Sequence, residues 1–544
     1  MHENTKSALL RARKQDGCSA AHRCLFVTEV TDIIFECIRE WDEYYPPDYF
    51  QPSLDRKRIG KATLASLART CRAFHEPALD ALWMELDLLD PLVQLLPRWM
   101  WTKKCCSFVM RCFMKEKHWL TFRKYASRVK SVRGPCWNVP APVQCNIMRT
   151  LAKFPKASLP LLPSLREIVW SLLKMSYVIY PAISLLKYLV GPGVTKISLI
   201  MPCWSFPTSL SKRAFLANLS NMCPNVTSFT VFFPYWCYKV PSQEMGTIIN
   251  GWTKLRTLRT CPLPQSVMDQ LANRRSLESL SIELNGSTLP PYVGRFSKTL
   301  HHFSLAGFSA SLCTGYLENI QCSPESCSLR IGADDSTLGD ITELFRALPV
   351  HLDKTTLRSI VVELTGSYCR WTTPSSEPPC LNINLITPFL MFRSLTKVDL
   401  DVFSSAGLDD KAFDVMARTW PNLRTLALGT CDMYWDKPRA TIKALLSLLI
   451  HCPNLEFLHL VFDGSIPLPS EIPCDIQNNH ITELQVGHSL IGDVNVIASY
   501  FIQLMPQLEK IISAKGLRDT IGKWAAVQKM LQKSSVYSKC IGTD

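Results

Sequence analysis

Leu423-Arg-Thr-Leu426-Ala-Leu428-Gly-Thr-Cys431 decides how this 544-residue chain folds. Leu426 and Leu428 are separated by one residue, the period of a strand with one buried face, and Leu423 leads into it. Leu277-Glu-Ser-Leu280-Ser-Ile282-Glu-Leu-Asn285 is a near copy. Looser copies begin at Val129, Leu165, Val194, Val226, Leu255, Leu300, Leu357, Leu395, Leu455, Ile481 and Leu508, with a poor one at Leu329. Successive starts lie between 22 residues apart (Leu255 to Leu277) and 38 (Leu357 to Leu395). Chance does not hold such a spacing over most of a chain, so the sequence is a repeat array.

The segments between the phrases repeat as well. Phe215–Met222, Phe413–Arg418, Leu445–Ile450 and Val496–Leu504 read as amphipathic helices. Each stops just before Pro224, Pro421, Pro453 or Pro506, because proline and the residue before it do not continue a helix. One helix–turn–strand unit cannot bury both its helix face and its strand, so neighbours must stack. The phrase fits the leucine-rich-repeat pattern L-x-x-L-x-L-x-x-N/C. The expected fold is therefore α/β, a solenoid whose curved parallel sheet is backed by helices.

Alternation then assigns faces. Glu167, Lys196, Arg259, Glu283, Glu363, Lys397, Asp399, Asp401 and Glu483 fall on the side away from the core. Downstream of residue 277 these are five acids, Glu283, Glu363, Asp399, Asp401 and Glu483, against one base. They are either solvated strand residues or an acidic stripe for a basic target segment. Aromatic inserts, Phe232-Phe233-Pro234-Tyr235-Trp236-Cys237-Tyr238, Tyr368–Trp371 and Met433–Trp435, follow some strands. Phe232, Tyr235 and Trp236 either tuck into local core or anchor a target protein.

Composition bounds the rest. Hydrophobic residues are 47% and charged residues 19%, which excludes a long disordered chain. The opening MHENTKSALLRARKQDG has no apolar stretch of a secretory leader, so the 22 cysteines read as reduced thiols. Leu172 to Val190 is broken by Lys174, Pro181 and Lys187, so no membrane partner is expected, and a cytoplasmic or nuclear location is. The net charge of +14 is concentrated: eleven Lys and Arg between Arg98 and Arg133 face one acid, Glu116. With Trp99, Trp101, Trp119 and other aromatics interleaved, this segment is either a footprint for nucleic acid, the less favoured reading, or an amphipathic helical stretch with a wet basic face.

Ahead of the repeats the pattern changes. Thr28 can cap a helix whose apolar face is Val30, Ile33, Ile34, Cys37, Ile38 and Trp41. A polar insert from Asp42 to Lys61 follows. A second helix buries Leu64, Leu67, Ala68, Cys71 and Phe74, and Pro77 is expected to start a third with Leu79, Leu82, Trp83 and Leu86. Three such helices barely close a core alone, and the surplus apolar surface implies a partner.

Leu25-Phe26-Val27-Thr28-Glu29-Val30-Thr31-Asp32-Ile33-Ile34-Phe35 resembles the opening of an F-box, and Leu64–Phe74 followed by Pro77 and Leu82-Trp83 resembles its second half. The family's proline is Val27 here, and its leucine after Val30 is Thr31. An F-box joined to leucine-rich repeats is similar to the F-box proteins numerous in mushroom-forming (basidiomycete) fungi. The resemblance implies a substrate-recognition subunit of a Skp–cullin–F-box ubiquitin ligase. Phe26, Val27, Glu29, Val30, Ile34, Phe35, Leu67, Cys71 and Trp83 would meet the Skp-type adaptor, and through it a cullin, while the repeats hold an unknown target protein. The rival is a non-ligase scaffold whose box merely caps the solenoid.

Motifs for catalysis fail. Gly60-Lys61-Ala62-Thr63 lacks the first glycine of a P-loop, which would be at Asp55, and Gly307-Phe308-Ser309-Ala310-Ser311 lacks the second glycine of a nucleophile elbow. Cys105, Cys106, Cys112 and His118 match no zinc module, and the surrounding cations oppose one. The expectation is a non-enzyme without cofactor or metal. It would comprise a flexible N-terminus (1–24), the F-box-like module (25–90), a basic aromatic-rich helical connector (91–120), the solenoid (121–515) and a C-terminal cap or tail (516–544).

Overall fold

Alternate residues of the repeated phrase do point to opposite faces. In the strand Ser326–Gly332, Cys327, Leu329 and Ile331 are buried and the residues between them are half-buried; Lys196–Ile200 and Ser359–Thr365 alternate in the same way. The structure, a computed structural model, describes residues 27–40, 57–87, 89–104, 107–112, 115–133, 159–171, 186–200, 210–232, 242–284, 291–365, 380–430, 437–466, 476–514 and 518–541. It divides into two units, Met1–Pro202 with Thr208–Thr227, and Cys203–Pro207 with Ser228–Asp544.

In the first unit the strands Glu85–Leu86, Ser131–Arg133, Glu167–Ser171 and Lys196–Ile200 pair side by side, all parallel. The second unit lays eleven strands in chain order: Ser228–Phe232, Thr257–Thr260, Ser279–Leu284, His302–Gly307, Ser326–Gly332, Ser359–Thr365, Lys397–Leu400, Thr425–Leu428, Phe457–Leu460, Glu483–Gly487 and Lys510–Ser513. Parallel neighbours cannot be joined by a tight turn, so the chain crosses over, in most repeats through a helix, before each return. One hydrogen-bond motif enters most strands: two successive N–H groups donate to a single carbonyl of the preceding repeat. Lys130 and Ser131 do so to Met84, Arg358 and Ser359 to Glu325, and Arg424 and Thr425 to Thr396. Pro224, Pro421, Pro453 and Pro506 each lie between a helix (Leu210–Met222, Asp410–Thr419, Ile442–His451, Val494–Leu504) and the next strand. The fold is that of a leucine-rich-repeat protein.

Three expectations need correction. The poor phrase at Leu329 is out of register: Cys327 pairs with Phe303 and Leu329 with Leu305, so this repeat opens at Pro324, with cysteine in a leucine's place. Pro77 does not start the third module helix but lies inside Arg72–Trp83; the chain turns earlier, where Cys71 is extended (φ −152°, ψ 164°). The connector is not wholly helical either. Trp101–Lys104 and Ser107–Met110 form an antiparallel hairpin between the short helix Asp90–Gln94 and the helix Glu116–Ala126.

At equivalent positions in two repeats stand Gly429 (φ 72°), just after the strand Thr425–Leu428, and Gly487 (φ 50°), the last residue of Glu483–Gly487. A Cβ at Gly429 would also collide with Ser405 Oγ, so these turns require glycine. At the other end of the second unit, the helix Arg518–Ile541 covers the last repeat. Trp524 is buried there, stacked on Phe501, and its indole N–H donates to Ser489 O at 3.0 Å.

Candidate functional site

The N-terminal module consists of Thr28–Glu40, Lys57–Leu67 and Arg72–Trp83. Phe35, Leu64, Ala68, Ala78 and Ala81 close its core, with Ile34, Ile38, Leu67, Phe74, Leu79 and Leu82 packed around them. Phe35 meets Phe74 edge to face at 5.6 Å. Phe35 is 3% exposed, its helical spacing turning it inward to this core. Ile34 and Leu67 are half-buried against the same core. Trp83 is half-buried too, its ring 4.9 Å from Tyr125, so its partner is the first repeat's helix. What remains open is an apolar edge: Val27 at 44%, Ile33 at 62%, and Val30 half-buried between them. Val30 and Ile33, three apart, share one helix face, and Val27 stands just ahead of the helix, its carbonyl accepting from Val30 N and Thr31 N. Glu29 and Cys71 are exposed, and Phe26 lies outside the described residues.

This module is built into the first unit. Glu85–Leu86 continues directly from its third helix and pairs with Ser131–Arg133. The guanidinium of Arg128, its side chain 10% exposed, binds both Glu76 and Asp80 of that helix. Glu85 bridges Arg39 at 3.5 Å and Arg133 at 3.3 Å. The Arg128 hydrogen bond holds the Glu76 carboxyl below its ordinary value of 4.5 against the opposing effect of burial. A carboxylate depressed in the folded state stabilises above its unfolded pKa and loses that contribution as acid protonates it. Arg128→Ala should therefore lower the melting temperature near neutrality, and the deficit should shrink as pH falls below 4.5, as read by thermal melts across that range.

The second surface is the outward face of the sheet in the second unit, where alternation puts the five acids either as solvated strand residues or as an acidic stripe. Most of them are already neutralised. Glu283 is 2% exposed, its carboxylate 2.7 Å from Arg259 Nε and 3.7 Å from Arg330. Arg330 Nε reaches on to Glu363 at 2.9 Å, and Lys510 Nζ holds Glu483 at 2.8 Å. A phrase set at Leu329 does not mark Arg330 as outward-facing; in the observed register it pairs with Glu363 on the next strand. Asp399 and Asp401 remain. Burial raises the Asp399 pKa despite Lys397 at 3.9 Å. Burial acts on Asp401 as well, but the bonds from His459 Nδ1 (3.4 Å) and from Thr430 N and Oγ1 (2.7 and 2.8 Å) outweigh it and lower its pKa. His459 was legible in principle, since it stands between the buried Leu458 and Leu460. Phe232 is half-buried with the Arg259 guanidinium 6.0 Å over its ring; Tyr235 and Trp236 lie outside the described residues.

These parts define the class: a leucine-rich-repeat protein carrying an N-terminal helical module with an open apolar edge. No family model matches the chain, and no curated protein does. Among solved structures it is similar to the yeast Rad7 and Elc1 complex, at 13% identity over 95% of each chain with a TM-score of 0.31. A Bacteroides fragilis protein is similar at 10% identity over 49% of this chain and 65% of its own, with a TM-score of 0.20. Neither TM-score is high enough to establish a shared fold.

Proposed function

We propose that this chain is the substrate-recognition subunit of a Skp–cullin–F-box type ubiquitin ligase, of the kind numerous in basidiomycete fungi, working in the cytoplasm or nucleus. Its module would bind a Skp-type adaptor, and through it a cullin, while the repeats hold a target protein. The observation that carries this reading is the open edge Val27–Val30–Ile33, which lies within the segment resembling the F-box opening and serves no contact in the module's own core. The chain itself would do no chemistry. Holding a target lysine near a ubiquitin-loaded enzyme raises its effective concentration and makes the transfer effectively intramolecular.

The test is co-purification of the full chain with a Skp-type adaptor. Val30→Asp places a charge in an apolar contact, at a cost of about 2–3 kcal/mol, and should weaken adaptor binding by about a hundredfold while the melt of the repeats stays nearly unchanged. The second reading, a scaffold capped by its module, is favoured by the Arg128 and Glu85 bridges. It wins if the wild-type chain retains no adaptor, or if Val30→Asp lowers the melt as much as it lowers binding.

A further inference from the structure

The eleven cations between Arg98 and Arg133 are not used alike. Arg128 and Arg133 are held by Glu76, Asp80 and Glu85, and Lys124 Nζ lies at the margin of an ion pair, 4.0 Å from Glu76. Arg98, Arg111, Lys115, Lys117 and Arg123 are exposed and have no acidic partner among the described residues. The helix Glu116–Ala126 buries His118, Trp119, Phe122 and Ala126. Its opposite face therefore presents Lys117, Leu120 and Lys124, three and four residues apart, with Arg123 beside them. Leu120 is 63% exposed in the middle of these charges. A second exposed apolar group, Trp99 at 58%, stands edge-on to the His118 ring at 5.9 Å. The bond from Arg111 N–H to Met100 O (2.8 Å) sets Arg111 beside Met100, next in the chain to Trp99.

Two anionic partners suit such a surface, and the aromatics separate them. Single-stranded nucleic acid binds where rings are offered for its bases to stack on. Here Trp119 stacks on Phe122 at 5.3 Å inside the unit, and Tyr125 is against Trp83. Trp101 is capped by Arg98 at 4.0 Å, and its indole N–H is given to Leu96 O. Only Trp99 of these is open, while Leu120 offers a base nothing. An aliphatic group ringed by lysines and arginine instead complements a protein segment in which carboxylates flank a large apolar side chain, since the carboxylates meet the cations and the apolar group covers Leu120.

We propose that this face, Lys117, Leu120, Arg123 and Lys124, docks an acidic protein segment bearing a large apolar residue. The site is separate from the Val27–Ile33 edge, and its test needs no adaptor.

The full chain is titrated with a labelled synthetic peptide of Glu and Asp around one central Leu, and with the same peptide carrying Ser in that place. The Leu peptide should bind about tenfold tighter, both affinities falling as salt rises. Lys117→Glu with Arg123→Glu should cost about tenfold or more for both peptides. Leu120→Ser should abolish the difference between them. All three positions are exposed, so the melts should not move, and a moved melt is replaced by the milder Lys117→Gln with Arg123→Gln pair. Equal binding of the two peptides, or indifference to these substitutions, overturns the proposal. So does tighter binding of single-stranded RNA or of phosphatidylserine vesicles that Leu120→Ser leaves unchanged.

Discussion

Trp420→Ala is expected to lower the unfolding free energy of the second unit by about 3–5 kcal/mol, the range for deleting a fully buried aromatic side chain. Trp420 has 0% exposure and stands at the hinge of a repeat, between the end of Asp410–Thr419 and Pro421. Its N–H closes the helix onto Met416 O at 3.0 Å, and its carbonyl accepts from Leu423 N at 3.1 Å and from the Cys452 thiol at 3.4 Å. Losing the ring would loosen helix end, turn and strand together. The indole N–H has no partner among the described residues, so Trp420→Phe keeps most of the packing and deletes a buried donor. Its loss should be well below that of alanine. Denaturant melts give the free energies, and Cys452 gives an independent readout. Burial pushes its thiol up to about 12, so a thiol reagent reaches it only when this part of the array opens. Faster labelling in Trp420→Ala, with little change in Trp420→Phe, is the expected pattern; equal stability of the alanine variant would refute the packing argument.

Glu283→Ala should cost about 1–3 kcal/mol. Removing one partner of a buried ion pair costs about 3–5 kcal/mol when the other charge is left dry. Arg259 and Arg330 keep side-chain exposures of 32% and 27%, so water would take up part of the loss. Removing the arginines as well, in Glu283→Ala with Arg259→Met and Arg330→Met, should restore part of it, because no buried charge then lacks its counterpart. A double-mutant cycle on Glu283 and Arg330 measures the coupling, and a value near zero would mean the pairing contributes nothing. The same chemistry bears on target recognition, since an acid that already binds two arginines offers little to a basic partner. Among the five strand acids, Asp399 and Asp401 are the ones not tied to a neighbouring arginine or to Lys510.

Much of this protein was legible in its residues. Leu423, Leu426 and Leu428, with their copies, determined strand positions, buried faces and parallel order, because period-two burial in a recurring helix–turn–strand unit leaves stacking of neighbours as the solution. Proline after each helix determined where four helices end, since it cannot supply the next N–H. The resemblance at residues 25–35 and 64–83 pointed to a helical module, and its helices are there. Tertiary structure alone decided the rest. Cys327 fills a leucine's place, so the repeat at Pro324 was recognisable only by its pairing with Phe303 and Leu305. With that register came Arg330, and with Arg330 the neutralisation of Glu283 and Glu363. Trp83 and Phe35 look alike as apolar helix residues, but one meets Tyr125 and the other fills the module's core. Alternation tells which face a side chain takes. The charge or ring opposite it belongs to a residue 24 to 58 positions away, in the pairs Arg259–Glu283 and Asp401–His459, and only the folded chain brings such partners within reach.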